Sequence, residues 1–169
     1  MKLSPRRRKL ITNTLTIALP ILSLVVIYFS LTLALATERP FVAVVGSSMS
    51  PTLEGGDLVI VQGAPPSNIH VDDIIVFDPP QGVRTIHRVK KMQVLQDGTI
   101  QFKTKGDAVD QEDDWVSEQY VLGRVIYRIP YLGYVMLDPV IIIIAVIIIA
   151  IIILIWPERK GRFSRHKPR

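Results

Sequence analysis

Two long apolar runs, with strand-length apolar segments between them, set the pattern of this chain. Leu10 to Thr37 carries no charge over 28 residues, and Val140 to Trp156 carries none over 17. Crossing the hydrocarbon core of a bilayer takes roughly 20 apolar residues, with a range of about 17 to 25. The first run is ample, and Pro20 is a place for it to kink. The second is near the lower limit, and the apolar segment Ile129 to Leu137 can extend burial into the interface. Between the runs the period changes. Phe41–Val45, Leu58–Val61, Ile74–Phe77, Thr85–Val89, Met92–Leu95, Thr99–Phe102 and Val121–Ile129 are short runs of β-formers separated by Gly, Pro and Asp. Asp97-Gly98, between two of them, predicts a hairpin. None shows an apolar repeat of 3.6 residues. The pattern predicts a mainly β architecture: a small external all-β domain flanked by N- and C-terminal transmembrane helices. The expected boundaries are a basic tail at 1–9, a transmembrane helix at 10–37, a β-rich domain at 38–138, a second transmembrane helix at 139–156 and a basic tail at 157–169.

Charge divides along the same lines. The tails hold eleven of the twenty Lys and Arg residues against the single acid Glu158, whereas Glu38 to Asp138 holds nine basic and fourteen acidic residues. The high pI belongs to the tails. The central region lacks the basic surface that phosphate contact requires, so no nucleic-acid partner is expected. Basic clusters beside apolar spans mark cytoplasmic ends. Both termini are therefore expected in the cytoplasm, with the acidic domain outside. The basic start and Ala34-Leu35-Ala36 also resemble a cleavable signal sequence, but the apolar run far exceeds the usual length of about 7 to 15 residues. An uncleaved anchor is expected. The chain has no cysteine, which excludes disulfides, thiolate catalysis and Cys-based metal sites.

Three segments carry side chains suited to chemistry. Gly46-Ser47-Ser48-Met49-Ser50-Pro51-Thr52-Leu53 places three serines within four positions; taken alone it reads as a polar turn. His87 lies inside a strand pattern, on the same face as Thr85 and Val89. It reads either as a half-buried strand histidine or as a general base on a rigid element. Thr104-Lys105-Gly106-Asp107, followed by Asp110, Glu112, Asp113, Asp114 and Trp115, reads as a solvated acidic loop or as a source of carboxylate. Calcium is a rival there, but the EF-hand spacing of ligands is missing, so no metal or cofactor is expected. A serine nucleophile needs a base, and that base often needs a carboxylate to orient it.

The serine segment Ser48-Met49-Ser50-Pro51-Thr52-Leu53 resembles the Ser-Met-x-Pro-Thr-Leu box of the type I signal peptidase family. The resemblance continues through Gly56-Asp57-Leu58-Val59-Ile60-Val61, Asp73-Ile74-Ile75-Val76-Phe77, His87-Arg88-Val89, Lys105-Gly106-Asp107 with Asp113 and Trp115, and Gly123-Arg124-Val125 with Ile129-Pro130-Tyr131-Leu132-Gly133-Tyr134. It covers about Phe41 to Tyr134. His stands where the usual bacterial members carry Lys, as in the archaeal and endoplasmic-reticulum form.

The resemblance implies a catalytic domain, with Ser48 as nucleophile, His87 as general base, Asp113 as the essential aspartate and Asp107 as a supporting one. Ser48 is preferred to Ser47 and Ser50 because it directly precedes Met-x-Pro. Which of Asp107 and Asp113 contacts His87 stays open. Lys90, Lys91, Lys103 and Lys105 invite a Ser/Lys reading, though none falls in the matching box. Gly46 stands where many bacterial members carry a Ser that helps stabilise the oxyanion. The resemblance also implies a serine endopeptidase acting through an acyl-enzyme on preproteins with Ala-x-Ala-like sites, with the lipid bilayer and the secretion translocon as partners. Ten residues separate Thr37 from Ser48, a tether of at most about 36 Å, so the nucleophile stays near the membrane surface. The alternatives are a non-enzymatic membrane-anchored β-scaffold, an inactive subunit, or a processing peptidase for a narrow set of clients.

Overall fold

A computed structural model describes residues 4–80 and 82–137, together with 144, 148 and 149. The expected second span at 139–156 and the basic tail after it lie outside this set, apart from those three single residues.

The N-terminal apolar run forms α1 (Pro5–Ala34). It begins earlier than the apolar pattern predicts. Ser4 caps it by accepting a hydrogen bond from the Arg7 N–H, and Pro5 occupies the first turn, where no donor is needed. Within α1, Thr14–Ala34 is long and apolar enough to cross a membrane, and none of it is buried against the protein. Leu35 closes the helix and Ala36 turns the chain with a positive φ of 49°. The Gly63 N–H donates to Leu35 O (2.8 Å), tying the helix exit to the end of the second strand. A Cβ at Gly63 would fall 1.9 Å from Ala36 O, so only glycine permits this approach.

The strands are β1 (Phe41–Ala43), β2 (Leu58–Gln62), β3 (Ile74–Phe77), β4 (Thr85–Val94), β5 (Ile100–Lys105), β6 (Trp115–Ser117) and β7 (Val121–Ile129). They form one seven-stranded sheet in the order β1-β2-β7-β3-β4-β5-β6, with every pairing antiparallel. Two differences from the sequence pattern stand out. The segments 85–89 and 92–95 are one strand, because a bulge between Val89 and Lys91 absorbs the break in alternation. β6 follows the acidic loop and has only Val116 as a buried anchor. As expected, Asp97-Gly98 lies in the β4–β5 turn, with Gly98 at φ 86°.

Alternation along β3 sorts the core into two clusters. Ile74 and Val76 face Val42, Val44, Met49, Leu53, Val59 and Val61. Ile75 and Phe77 face Ile69, Val89, Phe102 and Val116. β3 is therefore covered on both faces and reads in sequence as an unbroken apolar run. β4 extends this division. His87 pairs with Ile75 and Thr85 with Phe77, on the second face, whereas Ile86 packs with the first cluster. Two compact units divide the chain after Tyr134, so the sheet and the residues considered below belong to one unit.

Candidate active site

Ser48 sits in the β1–β2 connection. Met49 and Leu53, each 2% exposed, pin that loop into the first core cluster. The loop closes on itself through Ser50 N–H to Ser47 O (3.0 Å) and Leu53 N–H to Met49 O (3.0 Å), and it contains a cis Ser50–Pro51 peptide. Ala108 N–H donates to Ser48 O at 2.8 Å, so the loop carrying the serine is stitched to the loop carrying the acids.

His87 projects from β4 into the same space. Its Nε2 lies 3.1 Å from Ser48 Oγ and its Nδ1 lies 2.5 Å from Asp113 Oδ2. A carboxylate oxygen only accepts hydrogen bonds, so Nδ1 carries the proton and Nε2 is left to accept from the serine hydroxyl. Asp113 is itself positioned by β5. Its N–H donates to Thr104 O (2.8 Å), and the buried Thr104 hydroxyl donates to Asp113 Oδ2 (2.6 Å). Asp113, of the two aspartates left open by the sequence, is the one in contact with His87.

Asp107 has different partners. Arg88 donates to it through Nε (2.8 Å) and Nη2 (2.7 Å), and Thr52 Oγ1 donates at 2.6 Å. Arg88 also reaches Asp72 O at 2.9 Å. Alternation explains this division of labour: consecutive residues of β4 face opposite ways, so His87 meets one acid and Arg88 the other. The hydrogen bond from Arg88 is the main cause that lowers the Asp107 carboxyl from its ordinary 3.8 to about 2; Thr52 adds to it. The unfolded chain takes up a proton near pH 3.8 while the folded chain resists down to about 2. The contribution of Asp107 to stability is thus complete above the unfolded value and is lost as pH falls through the folded one. It amounts to about 2 kcal/mol. Denaturant titrations of the detergent-solubilised chain between about pH 5 and pH 2 are expected to show an Asp107→Asn variant losing about 2 kcal/mol less than the wild type.

Thr52 is also held from its backbone side. Arg128 Nη1 donates to Thr52 O (2.8 Å), and the Arg128 guanidinium pairs with the buried Asp57 carboxylate at 2.5 Å. Asp57 in turn accepts from the Glu54 N–H. Two Arg–Asp pairs thus grip the Ser48 loop. Arg88 stood out in the sequence only as part of the His87-Arg88-Val89 box, with no role assigned, and Arg128 was not singled out, since a basic residue on a strand ordinarily marks a solvated face. Thr104 was legible in retrospect, because alternation with Phe102 puts its hydroxyl on the buried face of β5.

Three of the four lysines have partners elsewhere. Lys90 lies 3.6 Å from Asp72, Lys91 pairs with Glu112 at 3.0 Å, and Lys103 stands over the Trp115 ring. Gly106 is closely enclosed within the site. A Cβ there would fall 2.5 Å from Ser48 O and 3.0 Å from His87 Nε2. A Gly106→Ala variant is expected to push serine and imidazole apart and to lose about 100-fold or more in turnover, since ångström-scale misplacement of reacting groups costs that much. Steady-state rates of the purified variant check this.

A family model described as "Signal peptidase, peptidase S26" matches residues 13–123. The chain belongs to this family. Among its relatives, the signal peptidase complex catalytic subunit SEC11C of Homo sapiens is 30% identical over 138 residues, covering 76% of this chain and 72% of that protein. The signal peptidase complex catalytic subunit SEC11 of Schizophyllum commune is 27% identical over 151 residues, covering 75% and 78%. The type I signal peptidase resemblance of the sequence boxes is thereby established, in its endoplasmic-reticulum-like form. The matched segment contains α1 from residue 13 onward together with Ser48, His87, Asp107 and Asp113, so the boxes and the site fall within one family domain of this signal peptidase.

Proposed function

We propose that this signal peptidase is a membrane-anchored serine endopeptidase that removes signal peptides from exported preproteins at Ala-x-Ala-like sites through an acyl-enzyme. The observation that carries the reading is the relay Ser48 Oγ to His87 Nε2 (3.1 Å) and His87 Nδ1 to Asp113 Oδ2 (2.5 Å). Ser48 attacks the scissile carbonyl while His87 takes its proton. The same proton passes to the leaving amine as the peptide bond breaks. Water then enters, His87 takes a proton from it, and hydrolysis of the ester frees the signal peptide and restores Ser48. Asp113 holds the imidazole in the productive tautomer and stabilises its charged form. Asp107 acts on the scaffold, through Arg88 and Thr52.

Anchoring serves the same reaction. α1 crosses the bilayer, the 139–156 segment crosses back, both basic tails stay in the cytoplasm and the β-domain lies outside. A signal peptide occupies the same membrane, so tethering raises the effective concentration of cleavage site and enzyme.

The test uses the full chain in proteoliposomes with a preprotein substrate. Mass spectrometry is expected to find one new N-terminus directly after the second Ala of the Ala-x-Ala site, and a serine-reactive phosphonate is expected to label Ser48. A chain that binds the preprotein, leaves it intact and resists the probe would be a scaffold. Because the chain contains no cysteine, single cysteines placed in each tail report sidedness directly. Labelling of either tail from the side of the β-domain would overturn the proposed topology.

A further inference from the structure

The loop between β5 and β6 carries five carboxylates, Asp107, Asp110, Glu112, Asp113 and Asp114, and among the described residues only Asp113 is hydrogen-bonded to His87. Asp107 is taken by Arg88 and Thr52, and Glu112 by Lys91 and Lys103. Asp110 and Asp114 are exposed. The register of β5 against β6 shows how Asp113 comes to its place. Gln101 stands opposite Ser117, Phe102 opposite Val116 and Lys103 opposite Trp115. Carried on by one pair, this register sets Thr104 opposite Asp114. The Thr104 carbonyl instead accepts from the Asp113 N–H (2.8 Å), and the Thr104 hydroxyl donates to Asp113 Oδ2 (2.6 Å). The chain slips by one residue there, and such a slip exchanges the faces of a strand. Asp113 thereby lies on the face shared by Phe102 and Thr104.

Resting on the function proposed above, we infer that Thr104 is a positioning residue of the cleavage reaction: its hydroxyl selects Asp113 from the five carboxylates and holds it against His87, so that turnover depends on this one donor. Thr104 pairs with Val89, two residues along β4 from His87, so Thr104 and His87 face the same side of the sheet. His87 Nδ1 and Thr104 Oγ1 converge on a single oxygen, Asp113 Oδ2. Thr104 is 0% exposed, and the one proton of its hydroxyl is committed to that oxygen.

The Asp113 side chain keeps 30% of its surface exposed, so solvent competes for it. A carboxylate that loses a buried donor turns toward water, because a charged group short of hydrogen bonds inside the protein is costly. When Asp113 turns away, His87 Nδ1 loses its acceptor. The peptide bond from Asp113 N–H to Thr104 O does not depend on the side chain at 104, whereas the hydroxyl does. Substitution therefore separates the slip of the backbone from the hold on the carboxylate.

The experiment measures kcat and KM for the full chain in proteoliposomes on one preprotein, together with the rate at which a serine-reactive phosphonate labels Ser48. Wild type, Thr104→Val, Thr104→Ser and Asp114→Asn are compared. Val keeps the shape without the donor and is expected to lose about 10- to 100-fold in kcat and in labelling rate, the order of one hydrogen bond to a charged group, with KM within about twofold of wild type. Ser restores the donor and is expected to stay within about threefold of wild type in both rates. Asp114→Asn is expected to leave kcat within about twofold. Thr104→Cys, whose thiol is a weak donor, is expected to fall between Val and Ser, and it supplies the comparison should Val fail to fold. A Val variant with the wild-type kcat overturns the inference. So do Val and Ser variants that slow alike, which would assign residue 104 to packing alone, and an Asp114→Asn loss as large as that of Val. In each of these cases the wild type still cleaves and the proposed function stands. A folded wild-type chain that leaves the preprotein intact, with Ser48 unlabelled, sinks the proposed function and the role of Thr104 together.

Discussion

Replacing Ser48 by Ala is expected to lower precursor cleavage by about 10⁴-fold or more, with the domain still folded. The size follows from the chemistry: without Oγ no ester can form, and what remains is the rate supported by substrate binding and by any donors that meet the oxyanion. Retention of the fold follows from the contacts of the loop. Ser48 is held through its backbone carbonyl by Ala108 N–H, and its neighbours Met49 and Leu53 are buried. Alanine keeps all three interactions. Rates measured in proteoliposomes, paired with the melting temperature, check the two halves of this expectation. A variant retaining more than about 1% of the wild-type rate would show that another group is the nucleophile.

Asp113→Asn is the second large effect, and it separates the two aspartates. Asn preserves the volume of the side chain but presents an N–H₂ group where His87 Nδ1–H needs an acceptor, or forces the other tautomer, in which Nε2 carries the proton and no longer accepts from Ser48. A loss on the order of 10³- to 10⁴-fold in kcat is expected, with KM little changed, because binding does not pass through the imidazole. The corresponding change at Asp107 acts differently. It leaves the His87–Asp113 contact intact and loosens Arg88 and Thr52 from each other. Its effect on kcat is expected to be smaller, with a clear loss of stability at neutral pH. If the two Asn variants instead lost activity alike and kept the same stability, the division between an orienting and a scaffolding acid would be wrong.

Legibility in sequence was uneven along the chain. The strands Leu58–Gln62, Ile74–Phe77 and Val121–Ile129 could be placed because short β-branched runs bounded by Gly, Asp and Pro allow few other conformations. β4 could not be read as one element, since its bulge breaks the alternation that pattern reading depends on. β6 was missed because three residues with one buried anchor give no periodic signal, and its neighbours form a loop dense in acids. Ser48 and His87 were singled out from their boxes, and the structure brings them within 3.1 Å of each other. The acid was narrowed only to two, because Asp107 and Asp113 stand in a run of carboxylates whose spacing says nothing about which will face β4.

By itself, then, the chain determined its two long apolar runs, its β-rich middle and the family boxes that contain Ser48 and His87. These are properties of local composition and of side-chain type, and they need no partner from elsewhere in the chain. Only the tertiary structure decided that Asp113 meets His87 and that Asp107 meets Arg88 and Thr52. It likewise decided that Arg128 and the buried Asp57 grip the same loop. The physical reason is the pleat. Neighbouring residues on β4 point to opposite faces, and which acid each one meets depends on how Thr104 on β5 draws Asp113 back by its carbonyl and hydroxyl. That contact joins β5 to the loop before β6 and has no trace in the spacing of the acids along the sequence.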